Sequence, residues 1–452
     1  GYDHSLAISS NGELYSWGYN SCGQIGNNSI IDVNIPKHIL ISENIIKIAC
    51  GSCHSCAITA DNRLYTWGNN SDGQIDDNSY TNALVPKNIY LSGTKCAEIA
   101  CGKNYTLALT NNNNYYAWGN NDYGQLGDKT TTCCKEPKNI VMYGGVKFIK
   151  IACGETNSIA ISTDNNLYVW GNNKESQLGN GNTYNANCPQ NTTLKGIAIS
   201  KIASGAAHAL AVSNTGKLYS WGNNDNGQLG DCTTQESNLP QQIILSGEKF
   251  NKIAIGETHT IALSDEGELY AWGNNSNGQL GLNSNLSYDI PQYIDVPNVK
   301  FSEVACGTDF SIALSNVGDL YVWGKNDKRQ LGDNSTVDVN APKKLEFENV
   351  KFSKIACGDS HITALSTTGE IYSWGDNTSG QVGVGTTETI NLPQKLLVNG
   401  VTFIDIACRM QHSMAISSTG TIYAWGNNAS GQIGDGNVAN VLEPTPIIVN
   451  DI

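Results

Sequence analysis

The sequence has no run of lysine or arginine and no long apolar stretch. Its 27 basic residues stand against 41 acidic ones, for a formal charge of −14 and a pI near 4.9. A chain without a basic patch lacks the electrostatic footprint for gripping phosphates, so direct nucleic-acid binding is not expected. No apolar run approaches the roughly 18 residues of a membrane-spanning helix, and no secretory leader is visible. There is no Ser-His-Asp chain order, no phosphate-binding glycine loop and no H-E-x-x-H pair. No catalytic residue, cofactor site or metal site is therefore expected, and the chain reads as a non-enzyme. A helical hydrophobic period is missing as well.

What is present is one unit written nine times. Tryptophan occurs at 17, 67, 118, 170, 221, 272, 323, 374 and 425 and nowhere else. Nine of the eleven prolines, from Pro36 to Pro444, each follow their tryptophan by 19 residues. A fixed period near 51 marks a solenoid, a propeller or an array.

One unit shows how it is built. In NKIAIGETHTIALSDEGELYAWGNNSNGQLG (251–281), the runs KIAIG, HTIALS and ELYAWG are separated by turn residues. A fourth run follows the proline, as in PQYIDV, which places proline at the start of an edge-like strand. Four short strands per unit read as antiparallel sheet. Gly12, Gly216, Gly267, Gly318, Gly369 and Gly420 fall between the second and third strands, where a hairpin needs positive φ. The recurring tryptophan is expected to fill the space between neighbouring sheets. Asparagine crowds the turns, where it tolerates left-handed conformations.

The recurring I-A-C-G-x-x-H and G-x-L-Y-x-W-G-x-N-x-x-G-Q-L-G resemble the repeat of the regulator of chromosome condensation family, across essentially the whole chain. The resemblance implies an all-β fold, a single β-propeller domain over 1–452 with four-stranded antiparallel blades of about 51 residues. Nine tryptophan–proline units imply nine blades in a closed ring, and the alternative is a seven-bladed ring with two extra blades. The sequence amounts to nine repeats less one innermost strand. Closure is expected to bring the tail 444–452 to the first repeat, burying His4–Ile8 and Ile447–Val449.

Fourteen cysteines include six in one slot: Cys50, Cys101, Cys153, Cys306, Cys357 and Cys408. Ile255 takes that slot in another repeat, so it wants a small or apolar filler, and the thiols are expected to be buried and reduced. One cysteine per repeat gives no metal-ligand spacing beyond the lone Cys53/Cys56 pair. Six of seven histidines share a slot as well: His4, His54, His208, His259, His361 and His412. Tyr105, Asn157 and Phe310 replace them, which favours packing plus a turn hydrogen bond over a proton or metal role.

Function is then expected in the rim loops, as a protein-interaction scaffold in an intracellular, reducing compartment. The candidate partner-binding residues are those that break the repeat pattern: Asp76, Asp77, Cys133, Cys134, Lys174, Glu175, Ser176, Lys328, Arg329, Arg409 and Met410. Cys133 and Cys134 are read as a loop pair. Ser176 and Arg329 replace the first glycine of G-Q-L-G. The resemblance also implies nucleotide exchange on a small GTPase, which in that family uses an inserted β-wedge. No repeat here exceeds the period by more than one residue, so no wedge and no exchange residue carries over. A self-assembling coat or fibre subunit is the third reading.

Overall fold

In a computed structural model of the chain, all residues are described except 77, 193, 195–196, 205–207, 246, 432 and 448–452. The chain is an all-β propeller of nine blades, each an antiparallel sheet whose strands pair in sequence order. Eight sheets have four strands; the first has three and lacks the innermost one. Beyond the strands there is one short 3-10 turn at Tyr143–Gly145 among the described residues.

The sixth repeat shows the construction. Phe250–Ile255, His259–Ser264, Leu269–Gly273 and Tyr288–Ile294 run from the innermost to the outer strand. Proline sits inside the outer strand rather than at its start. Ala271 pairs with Gln292 and Gly273 with Tyr288, so Trp272 faces a three-residue bulge holding Pro291. A bulge leaves backbone N–H groups outside the ladder, which is where proline is tolerated. The hairpin glycines have φ near +80°, and Asn62, Asn113 and Asn165 adopt the same left-handed turn.

The chain forms two compact units. The first holds Gly1–Ala198 with Ala429–Val438, the second Ile199–Asn428 with Ala439–Ile447. In both, the core lies between adjacent sheets. In the first unit Leu14 and Ile39 of one sheet pack with Ala57 and Trp67 of the next. In the second, Leu210, Val212 and Ile243 pack with Phe250, Ala262 and Trp272. Each of the nine tryptophans is at most 3% exposed. In seven of them the indole N–H donates across to the preceding repeat's glutamine carbonyl, as from Trp67 to Gln24 (2.9 Å) and from Trp272 to Gln228 (2.8 Å).

Within the first unit, the loop Ala429–Val438 comes from the ninth repeat and seats on the first. Gly434 abuts the Trp17 indole as Gly26 abuts that of Trp67, and Gly436 N–H donates to the Asn34 carbonyl at 2.6 Å. This is the last-to-first contact that closure requires. His4 is buried, and Leu6 and Ile8 pack on the core of the first unit. Ile447 is buried as well, while Val449 lies outside the described residues.

Candidate functional site

The strand order gives every blade two edges. At one, the innermost strand turns into the second and the third strand loops into the outer one. At the other lie the hairpin and the connection to the next repeat. An asparagine three residues after each tryptophan organises the first edge. Asn275 is buried; its amide donates to the carbonyls of Ser284 (2.7 Å) and Leu286 (2.9 Å), and its oxygen accepts from Leu280 N–H (2.9 Å). Asn20, Asn121, Asn173, Asn224, Asn326 and Asn377 hold their loops in the same way. These asparagines are loop cores, a role that turn propensity alone does not reveal.

All the described sequence-chosen candidates fall on this edge. Asp76, Cys133, Cys134, Lys174, Glu175 and Ser176 belong to the first unit, and Lys328, Arg329, Arg409 and Met410 to the second; Asp77 lies outside the described residues. Lys174, Glu175, Lys328, Arg409 and Met410 are exposed. Ser176 is buried and Arg329 half-buried, with φ of 54° and 59°. Both therefore keep the left-handed turn that glycine makes elsewhere, at a cost of about 1 kcal/mol. Cys134 is not a loop residue: it opens the outer strand Cys134–Asn139, because the strand begins three residues before its proline. Lys174 lies over the ring of Tyr123 at 5.7 Å, and Lys135 over Tyr80 at 5.5 Å.

The opposite edge carries residues that the sequence reading missed. The fourth residue after the proline, at the end of the outer strand, is Leu40, Tyr90, Val141, Ile244 or Leu397 in five repeats, each 77–84% exposed. The residue before it points inward: Ile39, Ile89 and Ile243 are buried, as alternation along a strand demands. Tyr143, two residues past Val141, is 94% exposed. In the second unit the same position holds Asp295 and Glu346. There the hairpins carry ion pairs, Glu268 with Lys300 (2.7 Å) and Asp319 with Lys351 (2.6 Å) and Lys344 (3.1 Å). Partial desolvation would raise the Asp319 carboxyl, but the two lysines outweigh it and hold it below its ordinary value. A large apolar residue four places after the proline in six of the nine repeats was the signal available in the sequence.

The histidines form hydrogen bonds between repeats rather than within a turn. His54 Nε2 lies 3.1 Å from Thr106 Oγ1, and His259 Nε2 3.1 Å from Ser311 Oγ. Those hydroxyls donate their single protons to the Gln74 and Gln279 carbonyls. Nε2 is therefore the N–H donor, and Nδ1 carries a lone pair. Nδ1 of His54, His259 and His361 has no partner. Desolvation pushes all three imidazoles down to about 3 and His208 down to about 4. Phe310 instead meets Ile362, an apolar pair in one core cluster.

The slot cysteines are free but half-buried, not fully buried as expected. The innermost strand has a neighbour on only one side, so its last residue keeps one flank open. Desolvation still pushes the Cys306 thiol up to about 12 and raises Cys153 and Cys357. Thiolate is the reactive form, so alkylation of these positions at pH 7.5 is expected to be at least tenfold slower than in urea. Equal rates in the two states would refute this. Inside the first unit, a metal-competent group does assemble: ligand atoms of His54, Cys56 and Cys101 lie within 4.8 Å of one another. Linear spacing hid it, because Cys101 belongs to the next repeat.

Residues 1–195 and 184–451 match the family described as the RCC1-like domain. The ultraviolet-B receptor UVR8 of Arabidopsis thaliana is 33% identical over 75% of this chain and 78% of its own length. The human E3 ubiquitin-protein ligase HERC2 is 30% identical over 73% of this chain, which spans 7% of that protein. The crystal structure of Prp20p from Saccharomyces cerevisiae superposes with a TM-score of 0.52 at 23% identity, over 91% of this chain and 92% of its own; that likeness concerns the fold alone. With nine tryptophan-centred repeats and a family match along nearly its whole length, the chain belongs to the RCC1-like domain family.

Proposed function

We propose that the protein is a non-enzymatic scaffold that binds a protein partner through the blade edges. The observation that carries this reading is the row of exposed apolar side chains after the outer strands: Leu40, Tyr90 and Val141 on three successive repeats of the first unit, with Tyr143 two residues past Val141. An isolated exposed leucine means little, but large apolar residues recurring at one position and largely exposed favour recognition of a partner. The first unit suits this better than the second, where acidic residues interrupt the row. The pattern-breaking loops of the opposite edge, from Asp76 to Met410, form the second proposed contact set.

The fourteen free cysteines support a reducing intracellular setting. No helix among the described residues is long and apolar enough to cross a membrane. Exchange on a small GTPase is the competing reading. It takes support from family membership, and it is tested by nucleotide release.

The experiment is capture of partners from the native source by the whole chain, compared with two variants. Leu40→Ser/Tyr90→Ser/Val141→Ser is expected to lose at least tenfold in partner affinity with little change in melting temperature, since these side chains are 77–83% exposed. A variant of the opposite edge, Lys174→Ser/Glu175→Ser, separates the two contact sets. Full retention of binding by the triple-serine variant would reject the apolar row. Acceleration of nucleotide release from a GTPase would reject the scaffold reading.

A further inference from the structure

Cys56 stands where no other repeat has a cysteine. The equivalent residues are Leu6, Leu107, Ile159, Leu210, Ile261, Ile312, Thr363 and Met414. This position faces the slot cysteine of the next repeat: Ile261 packs with Cys306, and Ile312 with Cys357, in their core clusters. Only in the second and third repeats, then, do two thiols meet across the seam. Cys56 Sγ and Cys101 Sγ lie 3.3 Å apart.

His54 precedes Cys56 by two residues on the strand His54–Thr59, so both side chains leave the same face. Its Nε2 is committed to Thr106. Its Nδ1 has no partner, in a residue with no exposed surface. A buried lone pair without a donor is costly unless something binds it. The same Nδ1 is unpartnered in His259 and His361, but there the facing positions supply no second thiol. Cys50 and Cys153 also lie near enough to act electrostatically on Cys101, so the surroundings are rich in soft donors.

We propose that His54, Cys56 and Cys101 form a binding site for one thiophilic divalent ion, of the chemistry of zinc, at the seam between the second and third blades. One imidazole and two thiolates are a donor set that such ions select. Zinc–sulfur bonds of about 2.3 Å at a tetrahedral angle need the sulfurs about 3.8 Å apart. The pair at 3.3 Å must open by only about half an ångström. A disulfide would require closure to about 2.05 Å. Binding converts two thiols to thiolates: the ion gains two sulfur bonds and two protons leave to solvent. Because two protons are released on binding, affinity rises with pH, by up to about 100-fold per unit.

The test is anaerobic titration of the whole chain with Co2+, an optical stand-in for zinc. The expected result is one equivalent bound, with thiolate-to-cobalt charge-transfer absorption, release of two protons and displacement of the cobalt by Zn2+. Cys56→Leu installs the residue that Leu107 and Leu210 provide elsewhere, so it keeps the fold and abolishes the absorption. Cys408→Ser, in the same slot as Cys101 but facing Thr363, leaves it unchanged. His54→Phe, which copies the native Phe310 of another repeat, weakens binding at least tenfold. Absence of the absorption in the parent protein, its persistence in Cys56→Leu, or a Cys56–Cys101 disulfide in the protein as isolated would each overturn the site.

Discussion

Lowering the pH from 6.5 to 5 is expected to remove roughly 6 kcal/mol of stability. His54, His259 and His361 titrate at about 3 and His208 at about 4 in the folded protein, against 6.5 for a free imidazole. The cause is desolvation. The neighbouring imidazoles act the same way: His208 on His259 and His412 on His361. The folded state keeps these rings neutral, while the unfolded chain binds protons below pH 6.5. Stability is therefore fully present above 6.5 and falls as pH drops towards the folded values, by up to about 1.4 kcal/mol per unit per histidine. Four groups over 1.5 units consume much of a typical domain's 5–15 kcal/mol. Carboxylates such as Asp319 are held below 3.8, so their contribution is lost only at lower pH. Urea denaturation at pH 7, 6 and 5 measures the slope. The double variant His259→Phe/Ser311→Ile reproduces the native Phe310–Ile362 pair and should flatten the slope by about 1.4 kcal/mol per unit. A stability that does not change between pH 7 and 5 would rule out neutral buried histidines.

Replacing Trp272 by alanine is expected to cost about 3–5 kcal/mol, as for other buried aromatic-to-alanine changes. The indole fills the core between Leu210–Val212 and Phe250, and its N–H satisfies the Gln228 carbonyl. Gly230 abuts the ring so closely that a Cβ there would lie 2.8 Å from Nε1, on a backbone with φ of 71°. Gly230→Ala should therefore destabilise by about 1–2 kcal/mol through the left-handed turn alone, with the clash adding to that. Combining it with Trp272→Ala should cost less than the sum, because the clash partner is gone. Chemical denaturation of the three variants checks this. A loss below about 1 kcal/mol for Trp272→Ala would mean that the ring is not core.

The blade and the number of blades are legible in the order of the amino acids alone. A tryptophan, a hairpin glycine and a proline returning at a fixed period impose the same local packing nine times, and each acts within its own repeat or an adjacent one. What crosses from one repeat to the next was not legible, and it emerged with the packed chain. The partner of His259 is Ser311 and that of Cys56 is Cys101, about fifty residues away, so spacing within a motif says nothing of them. The same packing set which blade edge each residue occupies, seated proline in a bulge opposite tryptophan, and turned Leu40 to solvent while Ile39 beside it became core. Strand alternation and the antiparallel order of four strands assign those positions, and neither is fixed until the strands have paired.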